Sequence, residues 1–460
     1  MTHAPAPTTP QPLDGGTSAA PASSTRNPFA ALAVRDYRIY LLTGLISNIG
    51  TAMQLIGLDW FVLTRTHSGT AVGWTTGLQF APVLLFGLWG GVLSDRYNRR
   101  VLLLTAQTLY AVQGVILSIA VFSGHAPLWL IYFLSFGLGC VFTVENPARL
   151  SFVTELVGSA LIPNAAGLNI LSLNVARLVG PAIAGMLIAA VGTGWVFAIN
   201  TASFAVVIAG LAVIRPGPAA TPRARTPWKG AGTAGLRYVA ARPRLLAVLA
   251  IFGLVMTFGV NFPITLTLFA GQVYRVGSDG LGFMSTALAI GTIAGTLAAS
   301  SQRAAPRVGK VVVGAVLFGV AETAAALAPN YLVFLALLVP AGYGLMVLNT
   351  AVSAYVQTEV DEAVRGRVMS VYTVVAMGGT PIGGPVIGWI SQHGGVRWGM
   401  GIGAAASIAF AGLIALWLAH RLAERSPATA PRPQALPPVT IASPHKCRTV
   451  VPAPNSECEA

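Results

Sequence analysis

Acidic and basic side chains are scarce in this chain, and their positions suggest what chemistry it can do. Between two apolar runs, the stretch GGVLSDRYNRR gathers Asp95, Arg96, Arg99 and Arg100 within residues 90–100, although only 9% of the chain is charged. Three acids, Asp59, Glu145 and Glu322, and one base, Arg177, stand in or beside long apolar segments. An uncompensated charge in lipid is costly, so each of these groups must face protein or water. An acid held in such a place is a candidate to carry a proton. No His or Cys cluster falls in the apolar segments, which leaves an intramembrane enzyme without catalytic groups and gives no metal site. Cys140, Cys447 and Cys458 have neither a disulfide framework nor metal-ligand spacing. There is no nucleotide-binding P-loop, so ATP is not the direct energy source and no cofactor is expected.

The elements that position these groups follow from composition. A soluble chain would be about 25% charged. This one is 54% hydrophobic with a mean hydropathy of +0.70, so its main solvent is lipid. A spanning helix needs about 20 apolar residues. Twelve such runs occur, near 40–63, 71–93, 101–123, 127–145, 165–190, 194–214, 245–270, 280–300, 309–328, 331–354, 367–391 and 397–420. The alternation of a membrane β-barrel is missing. Residues 1–34 are rich in Pro, Ala, Ser and Thr, lack a signal-peptide pattern, and read as a disordered tail; 426–460 reads the same way.

The net charge of +14 comes almost wholly from Arg. The basic residues sit in gaps between runs and not on one helix face, which points to membrane topology and away from nucleic acid. One set of gaps carries Arg96, Arg99, Arg100, Arg149, Arg215, Arg237, Arg242, Arg303, Arg307 and Arg365 among others; the alternate set carries only Arg65, Arg275 and Arg397. Positive loops stay in the cytoplasm, so both termini are expected there, in the cell membrane. The chain also repeats. Glu155 and Glu359 are 204 residues apart, and so are the Gly180-Pro181 and Gly384-Pro385 pairs. The same offset lays GVLSDRYNR on GTLAASSQR, with Asp95 falling on Ala299. This predicts two parallel six-helix halves, 35–214 and 245–425, joined by a loop at 215–244, with a substrate cavity between them.

GVLSDRYNRR resembles the signature that follows the second helix in the major facilitator superfamily, roughly G-x-L-a-D-R-x-G-R-R. Gly91, Leu93, Asp95, Arg96, Arg99 and Arg100 match; Asn98 departs where the family has Gly, as a residue that tolerates a left-handed turn. ENPARLSFVTELV, NAAGLNILSLNVARLVGPAIAG, GLRYVAARPRL and RGRVMSVY are similar to the enterobactin-exporter-like, drug-efflux branch, over about residues 30–425. The resemblance implies an all-α membrane protein of the major facilitator fold. It implies that Asp95 meets the start of the eleventh helix, near Arg365 and Arg367, and holds the cytoplasmic side closed. Arg96 would pair with an acid at the end of helix four, for which Glu145 is the candidate.

The same resemblance makes Gly180, Pro181 and Gly185 a fifth-helix signature of antiporters. Arg177, one turn earlier, is either a topogenic Arg near the cytoplasmic end or a cavity-facing charge. Helix one lines the family cavity, which makes Asp59 the first choice for proton coupling. Helix nine is usually peripheral, which makes Glu322 a structural or outer-surface acid and the second choice. By the same analogy Gln54, Phe136, Cys140, Met256, Asn261, Phe262, Tyr343, Met346 and Asn349 are candidate cavity residues, and Pro263 should break helix seven. The expected function is proton-coupled export of a small, largely apolar organic compound (drug, antibiotic or siderophore) by a monomer. A nutrient importer would need a more polar cavity, and a non-transporting sensor would need neither matched halves nor the motif.

Overall fold

The computed structural model describes residues 29–214, 231–300 and 308–424, and these are helical throughout apart from short connections. In chain order the helices are α1 (Arg35–Thr66), α2 (Gly69–Arg96), α3 (Arg99–Phe122), α4 (Leu128–Val157), α5 (Ile162–Val191), α6 (Thr193–Val213), α7 (Ala231–Ala240), α8 (Pro243–Leu254), α9 (Phe262–Leu268), α10 (Gly277–Ser300), α11 (Val308–Ala326), α12 (Tyr331–Glu359), α13 (Glu362–Gly378), α14 (Thr380–Gly394) and α15 (Val396–Glu424). Eleven segments among the described residues are long and apolar enough to cross a membrane, with α8–α9 and α13–α14 each forming one broken span. The 28-residue α2 completes twelve. Each of the twelve expected runs corresponds to one of them.

Local chemistry ends the helices where the sequence turns. His67 closes α1 in the left-handed region, at φ 52°, and Ser68 caps α2 by accepting from the Ala71 amide. Asn330 caps α12 in the same way through the Val333 amide. Single glycines join α5 to α6 and α14 to α15: Gly192 at φ 90° and Gly395 at φ 99°, conformations that cost a side-chain-bearing residue.

Within the first half, α1 packs on α5 and α6, α3 on α4 and α6, and α2 on α4; in the second half α12 packs on α10 and α11. The halves meet at two seams, α2 against α14 and α5 against α10. The repeat offset carries α2 onto α10 and α5 onto α14, so the two seams are copies of one contact. Both are built from glycine. A Cβ on Gly73 would run into the Gly384 carbonyl, and one on Gly77 would lie 3.0 Å from the Pro385 ring. In the other seam a Cβ on Gly185 would lie 2.5 Å from the Ser278 oxygen, and one on Gly282 would lie 2.5 Å from that of Pro181. Small residues allow this approach, which in lipid is the main source of helix association.

All these contacts lie at one end of the bundle, the end of Arg65, Arg275 and Arg397, here termed the far end. Hydrogen bonds reinforce it: the Gly69 amide donates to Gln392 at 2.6 Å and Ser278 to the Gly185 carbonyl at 3.1 Å. The opposite, basic end carries Arg96–Arg100 and α7. There the expected boundaries change. Residues 30–33 form a 3₁₀ turn docked through the Ala31 amide onto Asn164, 2.8 Å away, so the first half takes in residues before 35. The connection expected at 215–244 contains α7, which Tyr238 and Arg242 tie to Asp361 at 2.8 and 3.1 Å. The rest of that connection and the segments 1–28 and 425–460 lie outside the described residues.

If the glycine seams hold the far end shut, Gly73→Ala should open it. Overpacking of this kind costs about 1–3 kcal/mol. In purified protein free of native cysteines, a cysteine at Gln392 should label faster with a thiol reagent in Gly73→Ala. Gly137→Ala, whose new methyl meets nothing within 4 Å, should leave labelling unchanged.

Candidate functional site

The motif at the basic end is partly a set of caps. Asn98 is not left-handed: it sits at φ −61°, ψ 119° and caps α3, its Oδ1 accepting from the Arg100 and Val101 amides. Asn supplies an acceptor that the family's Gly lacks, which explains the departure. Arg100 donates to the Leu211 and Ala212 carbonyls, both at 2.9 Å, and so satisfies the open end of α6. Arg99 forms an ion pair with Glu155 of α4. The backbone places Gly91 and Asp95 in the last turns of α2, and the Asp95 side chain lies outside what is described. α2 also packs against α13, where Leu84 touches Gly378.

The expected pairing of Arg96 with Glu145 is not made. Arg96 is exposed, whereas Glu145 is 6% exposed. The reason is the length of α4, which continues from Glu145 to Val157, roughly three more turns. Glu155, and not Glu145, is the acid at the basic end. Arg149, expected in a loop, is likewise inside α4. It stands four residues from Glu145, and the two share a pocket with Tyr40, Asn48, Gln107 and Ser47. Arg149 donates to Asn48 at 3.2 Å, and Asn48 donates to Ser172 of α5 at 3.3 Å. The Glu145–Arg149 spacing, which sets both on one helix face, was the signal in the sequence.

Asp59 is buried in α1 and accepts from Thr76 of α2 at 3.3 Å. Thr76 precedes Gly77, so this carboxyl sits directly behind a seam. Glu322 is neither peripheral nor at the outer surface. It is 2% exposed, and its Oε2 has no hydrogen-bond partner. It faces the break in the seventh span, 3.4 Å from where a Gly259 Cβ would be, with Ser407 also beside that glycine. The break is where Pro263 predicts one: a π-helical turn at Val255–Gly259, then Val260 and Asn261.

Several expected cavity residues are interior packing. Gln54 is 3% exposed and bonds to Gln113 of α3 and Asn200 of α6. Met256, Asn261 and Phe262 are buried, the last against Phe318 of α11. The π turn rotates this part of the span, so an analogy based on a regular helix misplaces them. Asn349 accepts from Tyr372 at 2.7 Å, joining α12 to α13. Tyr343 and Met346 lie against Gly295 of α10, while Phe136 and Cys140 remain half-buried on α4.

In α5, Gly180 approaches Ala52 of α1, whereas Pro181 and Gly185 approach α10. Arg177 is midway along this helix, not near its basic end. At 100° per residue it points away from Met186, which is exposed on the opposite face. Arg177 therefore looks into the space between the halves. On the same face towards the basic end, Pro163, Ala166, Gly167 and Ile170 are all exposed. The α5 face is thus covered by α10 at the far end and open below Arg177.

Comparison with known proteins fits this geometry. A family model described as a transmembrane secretion effector matches residues 26–447. The enterobactin exporter of Escherichia coli O1:K1 / APEC is 24% identical over 354 residues, covering 76% of this chain and 84% of that protein. The staphyloferrin A transporter of Staphylococcus aureus (strain NCTC 8325 / PS 47) is 28% identical over 142 residues, 31% of this chain and 36% of its own length. Among solved structures, an inward-facing, unoccupied bacterial homologue of the human lysosomal transporter Spinster superposes with a TM-score of 0.65 at 18% identity, over 88% of this chain and all of that one. A nucleoside transporter superposes with a TM-score of 0.69 at 14% identity, over 83% and 99%. These likenesses establish the fold, and the family match over most of the chain establishes the lineage: the chain belongs to the transmembrane secretion effector family of major facilitator transporters.

Proposed function

We propose that this transporter exports a small, largely apolar organic compound in exchange for protons. The observation that carries the reading is the asymmetry of the seams. Glycine contacts close both at the far end, while the seam-facing side of α5 is open at the other. A bundle with two equivalent seams can rock between this arrangement and its opposite, which is alternating access. The relatives named as an enterobactin exporter and a staphyloferrin A transporter favour a siderophore-like or drug-like cargo. The basic end faces the cytoplasm on the charge asymmetry of the gaps, so the open cavity loads from inside. Asp95, in the last turn of α2, is the latch for the opposite state.

Coupling belongs to Asp59 and not to Glu322. Asp59 is linked through Thr76 to the helix that forms the seam, so its protonation can be felt there. Glu322 lies inside the second half, against Gly259, away from both seams. It serves as a structural carboxyl at the helix break.

In proteoliposomes holding a pH dye, a pH gradient should drive uphill movement of a dansyl-labelled organic compound. Asp59→Asn should abolish uphill movement but keep downhill exchange, since the amide retains size and cannot change charge. Glu322→Gln should preserve both. Loss of coupling in Glu322→Gln with normal coupling in Asp59→Asn would reverse the assignment.

Topology has its own check. In intact cells and a cysteine-free background, a cysteine at Arg275 should react with an impermeant reagent. One at Tyr97 should react only after permeabilisation. The reverse pattern would turn the transporter around in the membrane.

A further inference from the structure

One charge in the pathway has no counterpart. Arg177 is exposed at mid-helix depth, on the α5 face turned from Met186 and towards the space between the halves. One turn further, Pro181 and Gly185 are sealed against Gly282 and Ser278 of α10. Two to four turns the other way, Ile170, Gly167, Ala166 and Pro163 are open. Arg177 therefore stands at the blind end of the cavity, where cargo entering from the basic end must stop. Among the described residues, no acid pairs with it: the two ion pairs are Arg99–Glu155 and Arg242–Asp361. The two buried acids described in the first half are engaged elsewhere, Asp59 behind the α2 seam and Glu145 in the Arg149 pocket. An intramembrane Arg without a counter-charge is costly to keep. A topogenic role does not account for one midway along a span. A snorkelling role fails because the side chain points away from lipid.

We propose that Arg177 is the substrate-recognition residue and that the cargo is an organic anion: an apolar body bearing a carboxylate or comparable oxyanion. A guanidinium offers a planar fork of donors that binds a carboxylate through two parallel hydrogen bonds, and such bonds strengthen away from bulk water. Ile170, exposed two turns below, gives the apolar body a surface to lie on. Cargo binding at this depth supplies the missing counter-charge just under the closed seam. This inference rests on the transporter reading above and narrows its substrate class.

The test uses the full chain in lipid nanodiscs and three probes with one fluorophore: dansylglycine (anionic), dansylamide (neutral) and dansylcadaverine (cationic). Fluorescence titration should give dansylglycine an affinity about ten-fold or more above dansylamide, with dansylcadaverine weakest. Arg177→Gln should erase the preference, binding dansylglycine no better than dansylamide, and unchanged size-exclusion elution of the variant reports an intact fold. Arg177→Lys should keep most of it. Equal affinities in the unmodified chain, no binding of dansylglycine, or a preference that survives Arg177→Gln would each overturn the proposal. Binding needs no proton gradient, so a failure of proton coupling leaves this result standing, and absence of an anion preference counts against the cargo class and not against the export reading.

Discussion

Backbone-to-backbone contact between glycines is the constraint on which the rest depends. Helices surrounded by lipid gain little from hiding apolar side chains from one another, so close van der Waals contact must hold the halves together. Gly73 and Gly77 against Gly384 and Pro385, and Gly185 and Pro181 against Ser278 and Gly282, provide that contact twice. Because the seams are related by the internal repeat, they can close and open together. Because their closest backbone approaches gather towards one end, the halves can pivot on them without unpacking their interiors.

Those interiors differ although the halves share a topology. The first holds a hydrogen-bonded polar core, with Gln54 bridging Gln113 and Asn200, and an Arg149–Asn48–Ser172 chain beside Glu145. The second is more apolar, its stacked aromatic rings including Phe269 on Phe334 with centroids 4.5 Å apart, and its buried acid is unpartnered. Its seventh span is interrupted by π turns at both ends of α9. Irregular backbone at this depth is tolerated where protein encloses it. Charge chemistry therefore concentrates in the first half, on α1, α4 and α5, and the second half supplies the opposing wall.

What could be read in the sequence was what hydropathy and repetition control. Twelve spans, two halves, the Gly-Pro pairs and the break before Pro263 all follow from composition and spacing. Depth along a helix was harder to read. The apolar run ends near Glu145, yet α4 continues through ENPARLSFVTELV, because Pro147 is accommodated inside it and protein neighbours cover its polar side. That extension moved Glu145 and Arg149 into the interior and left Glu155 for the motif arginine. Facing was also hidden. Arg177 could not be placed until the covered and lipid-exposed sides of α5 were known, and Met256 to Phe262 were turned inward by a π turn that leaves no mark in apolar periodicity.

The most direct test of the central claim is a pair of distance measurements by spin labelling on one protein. Labels at His67 and Gln272 report the far end; labels at Ser159 and Glu362 report the basic end. Without cargo, the far-end distance should be short and narrow and the basic-end distance long. Under conditions that drive turnover, a second population should appear in which the far-end distance lengthens and the basic-end distance shortens, in equal proportion. Distances that stay fixed during transport, or that lengthen together, would contradict a bundle rocking on its glycine seams.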